Sequence, residues 1–111
     1  MKAQANIDGG ICGFHTRVHA DSNDSQNVTF RIASSCEKVR KFADALITRG
    51  PVDGYAEIGA GADGAILTTA RESLEGCCSA CAVPVGAFKA MQVAAGVALP
   101  KDITINMLTE D

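Results

Sequence analysis

Five cysteines in 111 residues constrain this chain more than any other feature. Cys12 and Cys36 stand alone, while Cys77, Cys78 and Cys81 are gathered into C-C-x-x-C. An odd number disfavours a complete disulfide framework. Residues 1–20 lack the charged and apolar regions of a secretory signal, and no run approaches the roughly 18 apolar residues of a membrane span. The expectation is therefore a cytoplasmic protein with no membrane partner, kept under reducing conditions that disfavour structural disulfides. A free cysteine often acts simply as a small buried hydrophobe. Three of five packed into one motif point instead to a shared metal site.

Composition narrows the function further. The formal net charge is −3, and no stretch gathers Lys and Arg into a stripe. That argues against nucleic acid as a partner, because phosphate neutralisation needs such a surface. Apolar residues make up 47% of the chain, enough for one modest core in a single domain spanning residues 1–111. Small cores are marginal, so a bound metal would add to stability. No Ser/His/Asp set or carboxylate pair stands out, which argues against a hydrolase or dehydrogenase.

The hydrophobic pattern gives an order of elements. A strand is expected over Lys2–Ile7, broken by Gly9-Gly10. Phe14, Thr16, Val18 and Ala20 alternate with polar neighbours, as do Val28, Phe30 and Ile32. With the polar run Asp21–Asn27 between them, they predict an antiparallel hairpin. Ser34 and Glu37 read as a capping box for a helix with an apolar face of Val39, Phe42, Ala43, Leu46 and Ile47. Gly50-Pro51 ends it. Residues 52–64 are glycine-rich and open to either reading, and Ile66–Leu74 suits a second helix. Pro84–Ala95 predicts a buried helix, and Leu99–Asp102 turns the chain into a last strand, Ile103–Leu108. The fold class expected is α+β: a small antiparallel sheet of the hairpin plus this C-terminal strand, covered on one face by two to three helices.

Matching inward residues across the turn pairs Val18 with Phe30, Thr16 with Ile32 and Phe14 with Ser34. Cys12 then falls opposite Cys36, with Cβ atoms about 4.5–5.5 Å apart. Cys36 is placed in the first turn of its helix, and Cys77, Cys78 and Cys81 lie just ahead of the late helix. There the helix dipole favours a thiolate. Cys12, Cys36, Cys78 and Cys81 make a Cys₄ set suited to zinc or an iron–sulfur cluster. Adjacent Cys77 is a spare or replacement ligand, and His15, on the outward strand face with His19, is a further candidate. Cys78-Ser79-Ala80-Cys81 also fits a thiol redox pair. Gly59–Gly64 spells G-x-G-x-x-G but lacks the βαβ setting of a dinucleotide site.

Cys12-Gly13 before a hairpin, Ser35-Cys36 leading a helix and Cys77-Cys78-Ser79 before a late helix resemble the IscU/NifU-type iron–sulfur cluster scaffold proteins. In that family a Cys-Gly-Asp turn enters the hairpin, a cysteine follows it, and a His-Cys-Ser step opens the late helix. The likeness covers about residues 10–95, maps Cys12, Cys36 and Cys78 onto the scaffold cysteines and puts Cys77 at the family's His. It implies an IscU/NifU-like fold, a cluster scaffold or carrier role, and a cysteine desulfurase or apo iron–sulfur acceptor as partner. Phe14 stands where the family has Asp, and Cys81 is additional, so tighter, non-labile binding is implied. The Gly10-Ile11-Cys12-Gly13-Phe14 and Cys81-Ala82-Val83-Pro84 segments are also similar to an uncharacterised family of small cysteine-containing anaerobe proteins. The alternatives are a structural zinc-binding interaction module and a thiol redox protein using Cys78 and Cys81.

Overall fold

The computed structural model describes residues 1–110. Strand β1 (Lys2–Asp8) pairs antiparallel with β2 (His15–Asp21), which pairs with β3 (Asn27–Ser34). A two-residue β4 (Val52–Asp53) closes the sheet in the order β1-β2-β3-β4. Helices α1 (Glu37–Thr48), α2 (Gly54–Ala60), α3 (Ala65–Ser73) and α4 (Val83–Ala94) complete an α+β chain.

The period-2 pattern sorts the two sheet faces. Thr16, Val18 and Ala20 of β2 are buried, and Ala3, Ala5 and Ile7 of β1 are half-buried beside them. Lys2, Gln4, Asn6 and Asp8 face solvent. On the inner face α4 lies across β1 and β2, and α1 covers β3. Val18, Val28, Phe42, Leu46, Ile66 and Met91 form the fully buried centre of one core. The approach of α4 is close. A Cβ at Gly86 would overlap Ile7 Cδ1 and stand 2.8 Å from its Cγ1.

The hairpin register differs from the expectation by two residues. Val18 faces Ile32, Ala20 faces Phe30 and Thr16 faces Ser34. A two-residue slip leaves every side chain on its own face, so alternation cannot exclude it; only a one-residue slip inverts the pattern. Loop geometry decides. Asp24 Oδ1 accepts from the N–H groups of Gln26 (3.0 Å) and Asn27 (2.7 Å), and Oδ2 from Asn27 Nδ2 (2.8 Å). This Asx-type turn, with Ser25 at φ 60°, fixes a five-residue loop.

Two further expectations are corrected. Ser34 is not the cap of α1: it pairs with Thr16 in the sheet, its Oγ lying 2.7 Å from Thr16 Oγ1. Cys36, in extended conformation, is the N-cap instead. Ile103–Leu108 forms no strand, and the fourth strand is β4. The glycine-rich segment holds α2, capped by Asp53, whose Oδ1 accepts from Tyr55 N (2.9 Å) and Ala56 N (3.0 Å).

At the start of α3, Glu57, only 4% exposed, accepts from Ala65 N (2.8 Å) and Ile66 N (3.0 Å). It supplies to the helix N-terminus the oxygens that an N-cap side chain would give. The expectation that no run comes near a membrane span is corrected as well: Gly76–Ala94 has the length and composition of one. It comprises a 3₁₀ turn (Gly76–Ala80) and α4, whose inner face is buried on the sheet.

Candidate metal centre

The five cysteines are held by three local devices. Cys12 ends a 3₁₀ turn (Gly10–Cys12) in the loop joining β1 to β2. Gly10 and Gly13 have φ of 79° and 73°, conformations that a side chain would strain. The loop is closed by Gly9 N–H to Phe14 O at 2.9 Å. The Cys12 sulfur rests against Gly9, where an added Cβ would overlap Sγ. Cys12 is exposed.

Cys36 is half-buried where β3 passes into α1. Its N–H donates to Ser34 Oγ at 3.1 Å, and its carbonyl accepts the first helical bond, from Arg40 N. Ser35 Oγ accepts from His15 N at 3.1 Å, so the segment before Cys36 is tied to the start of β2. Cys12 and Cys36 therefore lie at the same end of the sheet, but not as a cross-strand pair. The observed register ends at Thr16 with Ser34, which corrects the opposition expected from the sequence.

Cys77, Cys78 and Cys81 belong to the 3₁₀ turn and its exit. Cys77 is exposed, and Cys78 and Cys81 are half-buried against the core. Cys78 N–H donates to Glu75 O, and Cys81 N–H to Cys78 O, both at 3.1 Å. Cys78 thus stands five residues ahead of α4 rather than on its first turn. Cys81 is the cysteine closest to the helix start, two residues ahead of Val83.

Burial pushes the Cys81 thiol up from its ordinary value, and the Val83 hydrogen bond pulls it back. The neighbouring Cys36, Cys78 and Cys12 each push it up further. Charge effects of this kind carry over many ångströms, so they put the four thiols within electrostatic reach of one another and no closer; the contact between Lys38 on α1 and Cys78 ties the turn before α4 to the helix that Cys36 begins. Among the described residues, no three His, Cys, Asp or Glu side chains are spaced to hold a metal ion as they stand. The donors suit a thiophilic metal in type, and an ion would have to draw them together.

Lys38, on the first turn of α1, was not singled out from the sequence. Its Nζ donates to Cys78 Sγ at 3.7 Å, across 40 positions. Nothing in the sequence signals it, since residues two apart on a helix do not share a face. His15 lies on the solvent side of β2, lining a shallow cleft with Asn6, Asp8 and Arg17.

The family model described as a family of unknown function (DUF6951) matches residues 3–107, and the chain belongs to that family. No curated protein and no solved structure matches it.

Proposed function

We propose that this member of the family binds a thiophilic metal centre, an iron–sulfur cluster or zinc, through Cys12, Cys36, Cys78 and Cys81. The observation that supports the reading is that Cys12 and Cys36 lie at the same end of the sheet, while Lys38, two residues into α1 from Cys36, reaches Cys78 of the turn that leads through Cys81 to α4. Lys38 adds a cation that would offset part of the charge of a thiolate-rich centre. The thiols are not preset in a tetrahedron, so the Gly9–Phe14 loop and the Gly76–Cys81 turn close on the centre as it binds. The apolar core is assembled apart from the cysteines, which lie at its rim. Both features suit a site that is loaded and unloaded better than a structural zinc module whose fold depends on the metal.

A cluster scaffold or carrier of the IscU/NifU kind fits this reading. A cysteine lies in the β1–β2 loop, a second caps α1 and a third precedes α4, the order found in those scaffolds. A cysteine desulfurase or an apo iron–sulfur acceptor in the cytoplasm would be its partner. Phe14 beside Cys12 and the additional Cys81 favour slow release.

Lys38 also favours a second reading, thiol–disulfide exchange. Cys78 would attack a partner disulfide, and Cys81 would resolve the mixed disulfide, leaving Cys78–Cys81 oxidised and the partner as two thiols.

Anaerobic reconstitution with iron and sulfide, or with zinc, tests the proposal by visible absorbance and elemental analysis. Cys36→Ser, Cys78→Ser and Cys81→Ser should each lower the bound metal severalfold, and Cys77→Ser much less. Equal loading of Cys36→Ser and the unaltered chain refutes the shared site. Failure to load iron, zinc or a cluster, with a reversible Cys78–Cys81 disulfide, selects the redox reading.

A further inference from the structure

Helix α4 ends in a Schellman motif, with Gly96 at φ 78° and Val97 N–H bonded to Gln92 O at 3.0 Å. Beyond it the chain leaves the body of the protein. Residues 98–110 form no helix or strand and make no hydrogen bond to any other described residue. The molecule measures 49 × 27 × 24 Å. Its longest helix covers about 18 Å and its longest strand about 26 Å, each well short of that long axis. Within residues 98–110, Ile103, Ile105 and Met107 alternate with Thr104 and Asn106, and Ile105 and Met107 are 73% and 87% exposed. An apolar alternation of this kind needs a sheet neighbour.

The protein itself carries a matching vacancy. β1 is an edge strand: all seven of its residues pair with β2, and its other side has no strand. Its inward residues Ala3, Ala5 and Ile7 remain only half-buried on the helix-covered face, because nothing flanks them. Unpaired edges of this length recruit strands. The matched family model runs to residue 107, so the alternating segment belongs to the family's domain and is not an appendage to it.

We infer that residues 103–108 of one copy add as a fifth strand to the β1 edge of a second copy, giving a reciprocal dimer. Ile103, Ile105 and Met107 extend the inward row of Ala3, Ala5 and Ile7, while Thr104 and Asn106 join Gln4 and Asn6 on the wet face. Main-chain bonds supply affinity and the alternate side chains supply register. The exchange is mutual, so the assembly is closed and does not grow into a fibre.

The test is light scattering on size exclusion of the whole chain, fully reduced and with chelator present, so that neither disulfides nor metal can join copies. A dimer is expected. Truncation after Ala98, and separately the full-length Ile105→Lys/Met107→Lys variant, should give a folded monomer with the far-UV spectrum retained. Hydrogen exchange at residues 103–108 should be slowed in the dimer and fast in the Lys variant. A full-length monomer, whether its tail is protected or not, overturns the inference, as does a dimer that survives truncation.

Discussion

Gly64 and Glu57 offer a quantitative test of how α3 is begun. Gly64 is the N-cap of α3 at φ −74°, a backbone any residue adopts, so alanine there meets no torsional penalty. Its obstacle is space. An added Cβ would overlap Glu57 Oε2 and stand 3.0 Å from Cδ. Carbon contacts settle near 3.5–4.0 Å, so the carboxylate must retreat by roughly 1 Å or more. That breaks bonds of 2.8 and 3.0 Å to Ala65 N and Ile66 N in a side chain only 4% exposed. Losing a cap costs about 1 kcal/mol, and leaving a buried charged acceptor underbonded adds about 1–3 kcal/mol. Gly64→Ala should therefore destabilise by about 2–4 kcal/mol. With Glu57→Ala already present only the 3.3 Å approach to Gly61 O remains, and the same change should cost under about 1 kcal/mol. The double variant is thus less destabilised than the sum of the singles, by about 2 kcal/mol. Urea unfolding followed by far-UV circular dichroism, under reductant, measures all four corners of the cycle. Equal costs of Gly64→Ala in both backgrounds would refute the assignment of Glu57 as the cap of α3.

Three other outcomes are expected. Gly9→Ala, at a permitted φ of −72°, should displace the Cys12 sulfur and lower metal retention while leaving the thermal midpoint within a few degrees; elemental analysis and a melt read the two effects separately. Lys38→Met should slow alkylation of Cys78 at pH 8 by roughly twofold to fivefold, the weight of an exposed charge contact, as followed by peptide mass spectrometry; an unchanged rate removes Lys38 from the site. Asp24, held down to about 2 chiefly by the Asn27 side chain and then the Asn27 and Gln26 N–H groups, contributes stability that is complete above its unfolded value near 3.8 and is lost as pH falls toward 2. The melting difference between Asp24→Ala and the unaltered chain should accordingly shrink between pH 4 and pH 2; a constant difference would show that the carboxylate is not what sets the turn.

The elements legible in the sequence were those with strong periodicity and clear ends. Val39, Phe42, Ala43 and Leu46 mark α1, and Gly50 at φ 84° follows its end. The alternations of β2 and β3 showed which residues face inward, yet parity alone could not choose between registers two apart, and the side chain of Asp24 makes that choice. α2 was obscured by its glycines, although Asp53 followed by Tyr55 and Ala56 carries a readable cap. Ile103–Leu108 has the pattern of a strand without a neighbour in its own chain, and pattern does not report partners. The cysteines stood out by number and spacing as candidate ligands. Lys38 did not, because its closeness to Cys78 exists only once α1 has been laid beside the turn before α4.

The placement of α4 sets the order in which the molecule can be completed during synthesis. β1, β2, β3 and α1 emerge from the ribosome first, since chains are made from the N-terminus. The strands that α4 covers, β1 and β2, are among the first made, and α4 is the last helix. The nascent chain therefore carries an uncovered apolar surface around Val18 and Ala20 until Ala94 has been made. Cys78 and Cys81 lie immediately ahead of the helix that closes this surface, whereas Cys12 and Cys36 have long been in place. Closing the core and placing the last two cysteines at the sheet end that holds the first two belong to one late event. If the four thiols hold a metal as proposed, an ion supplied during translation would meet only half of those ligands, and loading would belong to the finished protein.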